Sequence, residues 1–171
     1  MGFIEETGAA ALLRDARIAP IYEGTNGIQA IDLVSRKLPQ SGGAPVRAYI
    51  GELRMAVEAL STSNLDGLGR SAERLERAVA DLETATEALL AMSASGEPEA
   101  ALAGATPYLR LFALASGGAL LARGAVASGA PERVALCRFF AENLAAETPA
   151  LRETAVEGPT GLQAAARSLM A

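Results

Sequence analysis

One acidic residue of this sequence stands where a carboxylate could act as a base. Glu23 follows Tyr22 and precedes Gly24-Thr25-Asn26-Gly27, a glycine-containing turn between two helical segments. A carboxylate on such a turn can reach into a cleft, and an adjacent glycine lets a substrate approach the backbone. Backbone N–H groups at the start of the next helix suit a diphosphate or an oxyanion. The alternative is a plain turn, in which Glu23 is solvated and Asn26 caps the helix.

Other reactive residue types are scarce. The chain has no His, which removes His-based triads and the usual zinc sites and leaves carboxylates as the main acid or base candidates. Its single Cys, Cys137, falls on an apolar helix face, which favours an inert core thiol over a nucleophile. One Cys cannot form an intramolecular disulfide and fits a reducing compartment. Elsewhere the carboxylates are dispersed, and pairs such as Glu73 with Arg77 are ordinary surface pairs.

Composition predicts an all-α chain. Half of the residues are hydrophobic, mostly Ala, Leu and Val, and aromatic residues make up 4%. The net charge of −5 without a basic stripe argues against a nucleic-acid partner. The longest apolar run, 111–122, is shorter than the roughly 20 residues of a membrane span, so we expect a buried helix and no transmembrane segment. The acidic start shows no signal peptide, and we expect a cytoplasmic protein.

The elements that must position Glu23 are two short helices, predicted at 3–16 and 27–38. A break is expected at Ile18-Ala19-Pro20, because the residue before a proline is disfavoured in the α region. The second helix is expected to place Asp32 and Arg36 one turn apart on its outer side. The stretch 39–45, PQSGGAP, is the most linker-like part of the chain, and we place a domain boundary there.

The remaining chain predicts an up-down bundle of four main helices. These are expected at 46–61, 67–93, 99–127 and 132–155, with a kink or split near Pro107 and a short last helix at 160–170 after EGPTG. The prolines at 98 and 131 are expected at helix starts. The small residues Ala115, Gly118, Ala119 and Ala122 form a strip that would let another helix approach closely. One apolar face is predicted on the helix at 46–61, and another at 68–89 has the apolar spacing of a bundle seam. The expected domains are thus 1–38, a linker 39–45, and a helical bundle at 46–171.

Several motifs of the first 38 residues together resemble one enzyme family. They are Gly2-Phe3, Arg14-Asp15-Ala16-Arg17-Ile18, Tyr22-Glu23-Gly24-Thr25 and Ile28-Gln29, in order and at family-like spacing. This segment resembles the C-terminal catalytic segment of the acyl-CoA dehydrogenase family. Members of one large subgroup carry an extra helical domain after this segment, and 46–171 is similar to it in length and character.

The resemblance implies a flavoenzyme that converts an acyl-CoA thioester to a trans-2-enoyl-CoA. In the family, the glutamate of this motif abstracts the α-proton, the β-hydrogen leaves as a hydride to FAD, and an electron-transfer flavoprotein takes the electrons. Carried over by position, Glu23 is the base and Gly24 lies against the thioester. Thr25, Asn26 and Gly27 would meet the FAD, although the family often has a longer polar residue where this chain has Gly27.

The family's subunit needs several hundred residues that would precede Met1. We therefore expect this chain to be the C-terminal part of a larger, homo-oligomeric enzyme and to be inactive by itself. Two alternatives stay open. One is a stand-alone helical interaction module without catalysis, and the other is a family relative with lost or redirected chemistry. The acyl-chain length of the substrate stays open as well.

Overall fold

The computed structural model is all-α, which confirms the fold class expected from composition. It describes residue 6 and residues 8–22, 26–96 and 98–170, and these ranges contain no strand. The helices are α1 Ala9–Tyr22, α2 Asn26–Asp32, α3 Ala44–Ser61, α4 Ser71–Ala94, α5 Pro98–Ala103, α6 Ala105–Ser128, α7 Pro131–Asn143 and α8 Thr148–Met170. A π-helical turn, Leu33–Lys37, and two 3₁₀ turns, Gln40–Gly43 and Ala145–Glu147, fall between them.

Four long helices, α3, α4, α6 and α8, surround one apolar core, and α7 packs against α4 and α6. The predicted seam of α4 is confirmed, because its apolar residues are buried at spacings of four and three: Leu75, Val79, Leu82, Thr86 and Leu89. The apolar face of α3 is confirmed in the same way by Ile50, Leu53, Val57 and Leu60. Ion pairs of Arg47 with Glu87 and of Arg54 with Glu83 show that α3 and α4 run antiparallel.

Helix α6 is the central helix of the bundle and contacts α3, α4, α7 and α8. The predicted strip of small residues is buried along it, and a methyl group at Gly118 would overlap the side chain of Leu75 in α4. Glycine therefore sets the distance between these two helices. In the described part of the chain, α6 is the one helix long and apolar enough to cross a membrane. Here its buried face belongs to the bundle core.

The break expected at Ile18-Ala19-Pro20 is wrong, because α1 continues through these positions to Tyr22. A proline near the end of a helix removes one backbone hydrogen bond and need not end the helix there. The start predicted at residue 3 lies outside the described residues. The described helix begins at Ala9, directly after Gly8, whose φ of +73° is left-handed.

The kink or split expected near Pro107 occurs three residues earlier, at Gly104, which separates α5 from α6. The segment predicted at 99–127 therefore forms two helices. Pro107 lies in the first turn of α6, where a missing N–H costs no internal hydrogen bond. The prolines at 98 and 131 begin α5 and α7, which confirms their predicted helix-start role.

The helices predicted at 132–155 and 160–170 are wrong in their boundaries. The chain breaks after Asn143, and α8 then runs without interruption from Thr148 through Gly158 and Pro159. The Thr148 hydroxyl lies 3.0 Å from Asp81 Oδ2 and 3.0 Å from the Ala145 carbonyl oxygen, and donates to both acceptors. Thr148-Pro149 is a helix-start signal that the sequence offered, because threonine caps helices and proline is tolerated in the first turn.

The break at Gly104 before α6 and the proline inside α8 lie next to each other in the fold. Pro159 has no N–H to donate to the carbonyl of Ala155, four residues earlier, which is therefore left without its usual partner inside α8. A methyl group at Gly104 would overlap this same carbonyl oxygen. The break between α5 and α6 thus lies where the backbone of α8 comes closest, and glycine is the residue that permits this approach.

The stretch expected to be a linker has a defined conformation. Residues Gln40–Gly43 form a 3₁₀ turn, and Gly43 is buried. Just before it, Ala30, Val34 and Leu38 belong to the same apolar core as the bundle helices. The division into a catalytic segment at 1–38 and a bundle at 46–171 stays a prediction, because packing alone does not decide where a domain begins.

Candidate site at the turn between the first two helices

Three of the five predicted site residues, Glu23, Gly24 and Thr25, lie outside the described residues. The described backbone ends at Tyr22 on one side and resumes at Asn26 on the other. Asn26 and Gly27 begin α2, and both are exposed. A methyl group at Gly27 would meet no atom within 4 Å. The start of α2 is therefore exposed, with open space beside Gly27.

Helix α2 is held on the bundle by one line of apolar residues. Ala30, Val34 and Leu38 have 0%, 1% and 2% of their surface exposed. Residues spaced by four drift around a regular α-helix, because one turn contains 3.6 residues. The π-helical turn adds a residue, as the hydrogen bond from Leu38 N–H to Leu33 O at 2.8 Å shows. This wider turn brings Leu38 back into line with Ala30, so all three residues face the core.

The outer side of α2 carries a cluster of charges. Arg36 Nε lies 2.5 Å from Asp32 Oδ1, as predicted from their spacing, and Lys37 Nζ lies 3.1 Å from Asp32 Oδ2. Hydrogen bonds from Arg36 and then from Lys37 lower the pKa of Asp32 to about 2. Asp32 is therefore a paired carboxylate across the physiological pH range. A carboxylate with a pKa this low is a weak base.

Large apolar side chains are exposed on both helices beside the turn. Leu12 and Leu13 of α1 are 73% and 58% exposed, and Ile28 and Ile31 of α2 are 62% and 47% exposed. The resemblance predicts that six apolar residues of 1–38 pack on helices outside this chain: Ile4, Leu12, Leu13, Ile28, Ile31 and Val34. The exposure of Leu12, Leu13, Ile28 and Ile31 agrees with this prediction, and Ile4 lies outside the described residues. Val34 is instead buried, one turn after Ala30 on the core-facing side. Exposed apolar area of this extent is typical of a surface that packs against a partner or another domain.

The rest of the described chain offers little chemistry. A cleft of about 450 Å³ between α3 and α4 is lined by Arg54, Ser61 and Glu76 among others, and the Ser61 hydroxyl donates to the backbone carbonyl oxygen of Glu58. Among the described residues, no three Asp, Glu or Cys side chains could hold a metal ion together. Cys137 is buried in α7, as predicted, and burial raises the pKa of its thiol. The thiol therefore stays protonated and packs as a small apolar group.

These features define an all-α bundle domain. It is preceded by α2, which packs on the bundle and follows the predicted site residues Glu23, Gly24 and Thr25 in the sequence. The family model described as "Acetyl-CoA dehydrogenase C-terminal like" matches residues 44–166, which is most of the chain. The chain therefore belongs to the acyl-CoA dehydrogenase family and contains its C-terminal helical domain. The match covers α3 to α7 and nearly all of α8.

Curated relatives carry acyl-CoA dehydrogenase names. The chain is 39% identical over 161 residues to 3-methylmercaptopropionyl-CoA dehydrogenase of Ruegeria pomeroyi, a match that covers 88% of this chain and 27% of that protein. It is 42% identical over 52 residues to a butyryl-CoA dehydrogenase of Syntrophomonas wolfei, covering 30% of the chain and 8% of the relative. The chain thus spans about a quarter of the first relative's length. No solved structure is significantly similar to it.

Proposed function

We propose that this chain is the C-terminal part of an FAD-dependent acyl-CoA dehydrogenase that converts an acyl-CoA thioester to a trans-2-enoyl-CoA. The observation that carries the proposal is the 39% identity to 3-methylmercaptopropionyl-CoA dehydrogenase over 88% of the chain. Identity of this extent covers most of the chain and is not confined to one helix. The reaction belongs to acyl-chain degradation such as β-oxidation, and the acyl group is set by parts of the enzyme outside this chain.

Glu23 is the proposed base. The α-proton of a thioester is weakly acidic, so a carboxylate removes it only when the carbonyl is polarised and water is excluded. The α-proton passes to Glu23, a hydride leaves the β-carbon, and the carbon–carbon double bond forms from the remaining electron pair. Gly24 is proposed to lie against the thioester, where the lack of a side chain lets the substrate approach. Asp32, the nearest described carboxylate on α2, is already paired with Arg36 and Lys37.

FAD is the proposed cofactor, and when bound it supplies the acceptor for the hydride. Thr25, Asn26 and Gly27 are the residues of this chain that would contact it. Asn26 and Gly27 fit that role, because both are exposed at the start of α2 and the space around Gly27 is open. Three residues supply a small part of a cofactor's contacts. For this reason we propose that the chain alone neither retains FAD nor oxidises acyl-CoA.

The proposed partners follow from the same reaction. An acyl-CoA is the substrate, and an electron-transfer flavoprotein would reoxidise the reduced enzyme. The exposed Leu12, Leu13, Ile28 and Ile31 favour a homo-oligomer or an upstream domain that covers them. The cytoplasmic location expected from the sequence belongs to this proposal too.

A chimera tests the proposal directly. In it, this chain replaces the matched region of the Ruegeria pomeroyi protein, and the acyl-CoA for which that relative is named serves as the substrate. Flavin absorbance and melting temperature first establish that the chimera is folded and holds its cofactor. We then expect stopped-flow mixing with saturating substrate to bleach the flavin. A folded, yellow chimera that substrate does not bleach would refute the proposal.

Replacing Glu23 by Gln in the chimera keeps size and hydrogen-bonding capacity but removes the base. We expect flavin and acyl-CoA binding to persist while the bleaching rate falls by about 10²- to 10⁴-fold, the usual contribution of general-base catalysis. The matched control is Glu6→Gln, which changes an exposed acid upstream and should leave the rate nearly unaltered. Near-normal bleaching by Glu23→Gln would assign the base to another residue.

The second candidate function is a helical interaction module without catalysis. The exposed leucines and isoleucines of α1 and α2 favour it, because they offer an apolar surface to a partner. The isolated chain distinguishes the two functions. Stoichiometric binding of FAD by the chain alone would contradict our proposal that its cofactor site is incomplete, whereas an unbleachable chimera favours the interaction module.

A further inference from the structure

The turn between α2 and α3 is left-handed at three consecutive residues. Ser41, Gly42 and Gly43 have φ angles of 49°, 66° and 86°. A non-glycine residue such as Ser41 rarely adopts this region, so surrounding contacts must hold the turn in place. We refer to residues 39–43 as the clasp turn. It connects the buried Leu38 to α3.

Arg47 holds the clasp turn against α4. Its Nε and Nη2 atoms lie 2.6 and 2.7 Å from the two carboxylate oxygens of Glu87, a bidentate pair between α3 and α4. Its remaining Nη1 atom donates to the carbonyl oxygen of Gly42 at 2.6 Å. One planar guanidinium thus joins three segments, a geometry that a lysine cannot reproduce. The hydrogen bond from Arg47 also lowers the pKa of Glu87, which keeps the pair charged.

Close packing adds to these bonds. A methyl group at Gly43 would lie 2.7 Å from Leu90 Cδ1 and 3.0 Å from Arg47 Nη1, so the turn is seated directly on α4 and on the guanidinium. The buried residues Ala30, Val34 and Leu38 form a single line along α2 and its π-helical turn. The partly buried Leu33 also packs against this core. The clasp turn fixes the chain directly after Leu38 and so restrains the end of α2 and its π-helical turn.

We propose that Arg47 is a positioning residue for the start of α2, where Asn26 and Gly27 lie. By fixing the clasp turn on α4, it restrains α2 and its π-helical turn, and hence the orientation of the helix that carries these two residues. This inference rests on the proposed function for its consequence in catalysis. Its structural part, the restraint of α2, stands on the described contacts alone.

The chain contains a matched control for Arg47. Arg54 pairs with Glu83 at 2.5 Å, also between α3 and α4, and both pairs are about half exposed. No bond of Arg54 to the clasp turn is present among the described contacts. Arg47→Met removes a bidentate pair together with the bond to Gly42, whereas Arg54→Met removes a pair with one hydrogen bond between the same two helices.

Amide hydrogen exchange on the chain itself tests the restraint. We expect Arg47→Met to speed amide exchange at Leu38, at Gly42 and along α2 by about fivefold. This change in rate corresponds to the free energy of a strong exposed ion pair. Arg54→Met should leave these amides unchanged. The exchanged pair Arg47→Glu with Glu87→Arg restores the link between α3 and α4 but not the bond to Gly42, so it should not restore protection. Equal exchange in the two methionine variants, or rescue by the exchanged pair, would overturn the proposal.

Kinetics of the chimera described above test the consequence. With melting temperature and FAD content unchanged, we expect Arg47→Met to lower the rate of flavin bleaching about tenfold at saturating substrate while KM stays constant, because misplacement of a reacting group affects the chemical step. Arg54→Met should retain the parent rate. Equal rates in both variants of an active chimera would overturn the positioning role. An inactive parent chimera refutes the proposed function instead, and leaves the exchange experiment to decide on the restraint.

Discussion

Helices α1 and α6 have similar compositions and opposite surroundings. Both are rich in Ala and Leu, and both form regular helices. In α6, Leu111 is completely buried, whereas Leu12 of α1 is 73% exposed. Helix propensity accounts for the helical backbone in both cases, because Ala and Leu lose little side-chain entropy in a helix. Burial depends on neighbours, and α1 makes no extensive contact with the other described helices.

Helices α1 and α6 are therefore stabilised in different ways. The small residues of α6 let α4 approach it closely, and this packing supplies most of a bundle's stability. Helix α1 has no such partner here and presents its leucines to solvent. We infer that the bundle is the stable folding unit and that α1 depends on a further surface for its apolar side.

Truncating one leucine in each helix should show the largest contrast. Leu111→Ala in α6 removes a fully buried side chain, and we expect a loss of about 2–5 kcal/mol in the free energy of unfolding. Leu12→Ala in α1 should change it by less than about 0.5 kcal/mol, since an exposed residue loses little on truncation. Urea denaturation followed by circular dichroism measures both. A cost above 1 kcal/mol for Leu12→Ala would show that α1 packs in solution.

Substitutions at two glycines test whether the close approach of α8 restricts the size of the residue at position 104. Gly104→Ala would press a methyl group onto the carbonyl oxygen of Ala155, which cannot move without displacing α8. We expect a loss of about 1–3 kcal/mol from this overpacking. Gly51→Ala in α3 meets no atom within 4 Å and should instead stabilise the helix by up to about 1 kcal/mol. Opposite signs in the two variants confirm the contact, and a stabilising Gly104→Ala contradicts it.

Tyr108 in α6 allows a pH test of the core. Its hydroxyl lies 2.8 Å from Thr86 Oγ1, and burial raises its pKa from 10.0 to about 12. Stability from the neutral phenol is complete below pH 10 and is lost as pH rises towards 12, because the unfolded chain releases the proton first. Tyr108→Phe should cost about 0.5–1.5 kcal/mol at neutral pH, since Thr86 keeps its bond to the Leu82 carbonyl.

The difference between wild type and Tyr108→Phe should therefore shrink above pH 10 and can reverse sign near pH 12. Urea denaturation at several pH values between 8 and 12 measures it. A constant difference across this range would mean that Tyr108 ionises as easily in the folded protein as in the unfolded chain.

The smallest effect is expected at Asp32 on α2. Arg36 is the larger cause of its lowered pKa of about 2, so Arg36→Gln should raise that pKa towards 3.8. The contribution of the cluster to stability is present above 3.8 and is lost as pH falls towards 2. An NMR titration of the Asp32 carboxyl carbon measures the shift, with Arg123→Gln on α6 as the control. An unchanged midpoint in Arg36→Gln would contradict the pairing.

The periodic parts of the sequence were predictable because their signals are local. The apolar spacing of α3 and α4 predicted their buried faces, and the spacing of Asp32 and Arg36 predicted their ion pair. The strip of small residues in α6 predicted a close helix contact, which Gly118 and Leu75 make. Each of these depends on residues within a few turns of one helix.

The missed features depend on contacts between distant segments. Pro159 looked like the start of a helix, yet α8 passes through it and the freed carbonyl of Ala155 faces Gly104. Within the predicted linker 39–45, Ser41 to Gly43 form a left-handed turn, in which the Gly42 carbonyl accepts a hydrogen bond from Arg47 and Gly43 packs against Leu90. Proline and glycine favour breaks locally, but packing against a partner outweighs a preference of a few kcal/mol or less.

Composition and spacing act over short distances, and from them the sequence alone predicted the all-α class and the core-facing sides of the long bundle helices. Glu23 as a candidate base came from the resemblance of residues 2–38 to a family segment and stays a prediction. Only the tertiary structure decided which helices form the core, how the π-helical turn aligns Val34 and Leu38, and that α1 keeps its leucines exposed. Burial is a relation between segments far apart in the chain. Its outcome depends on partners that local sequence does not specify.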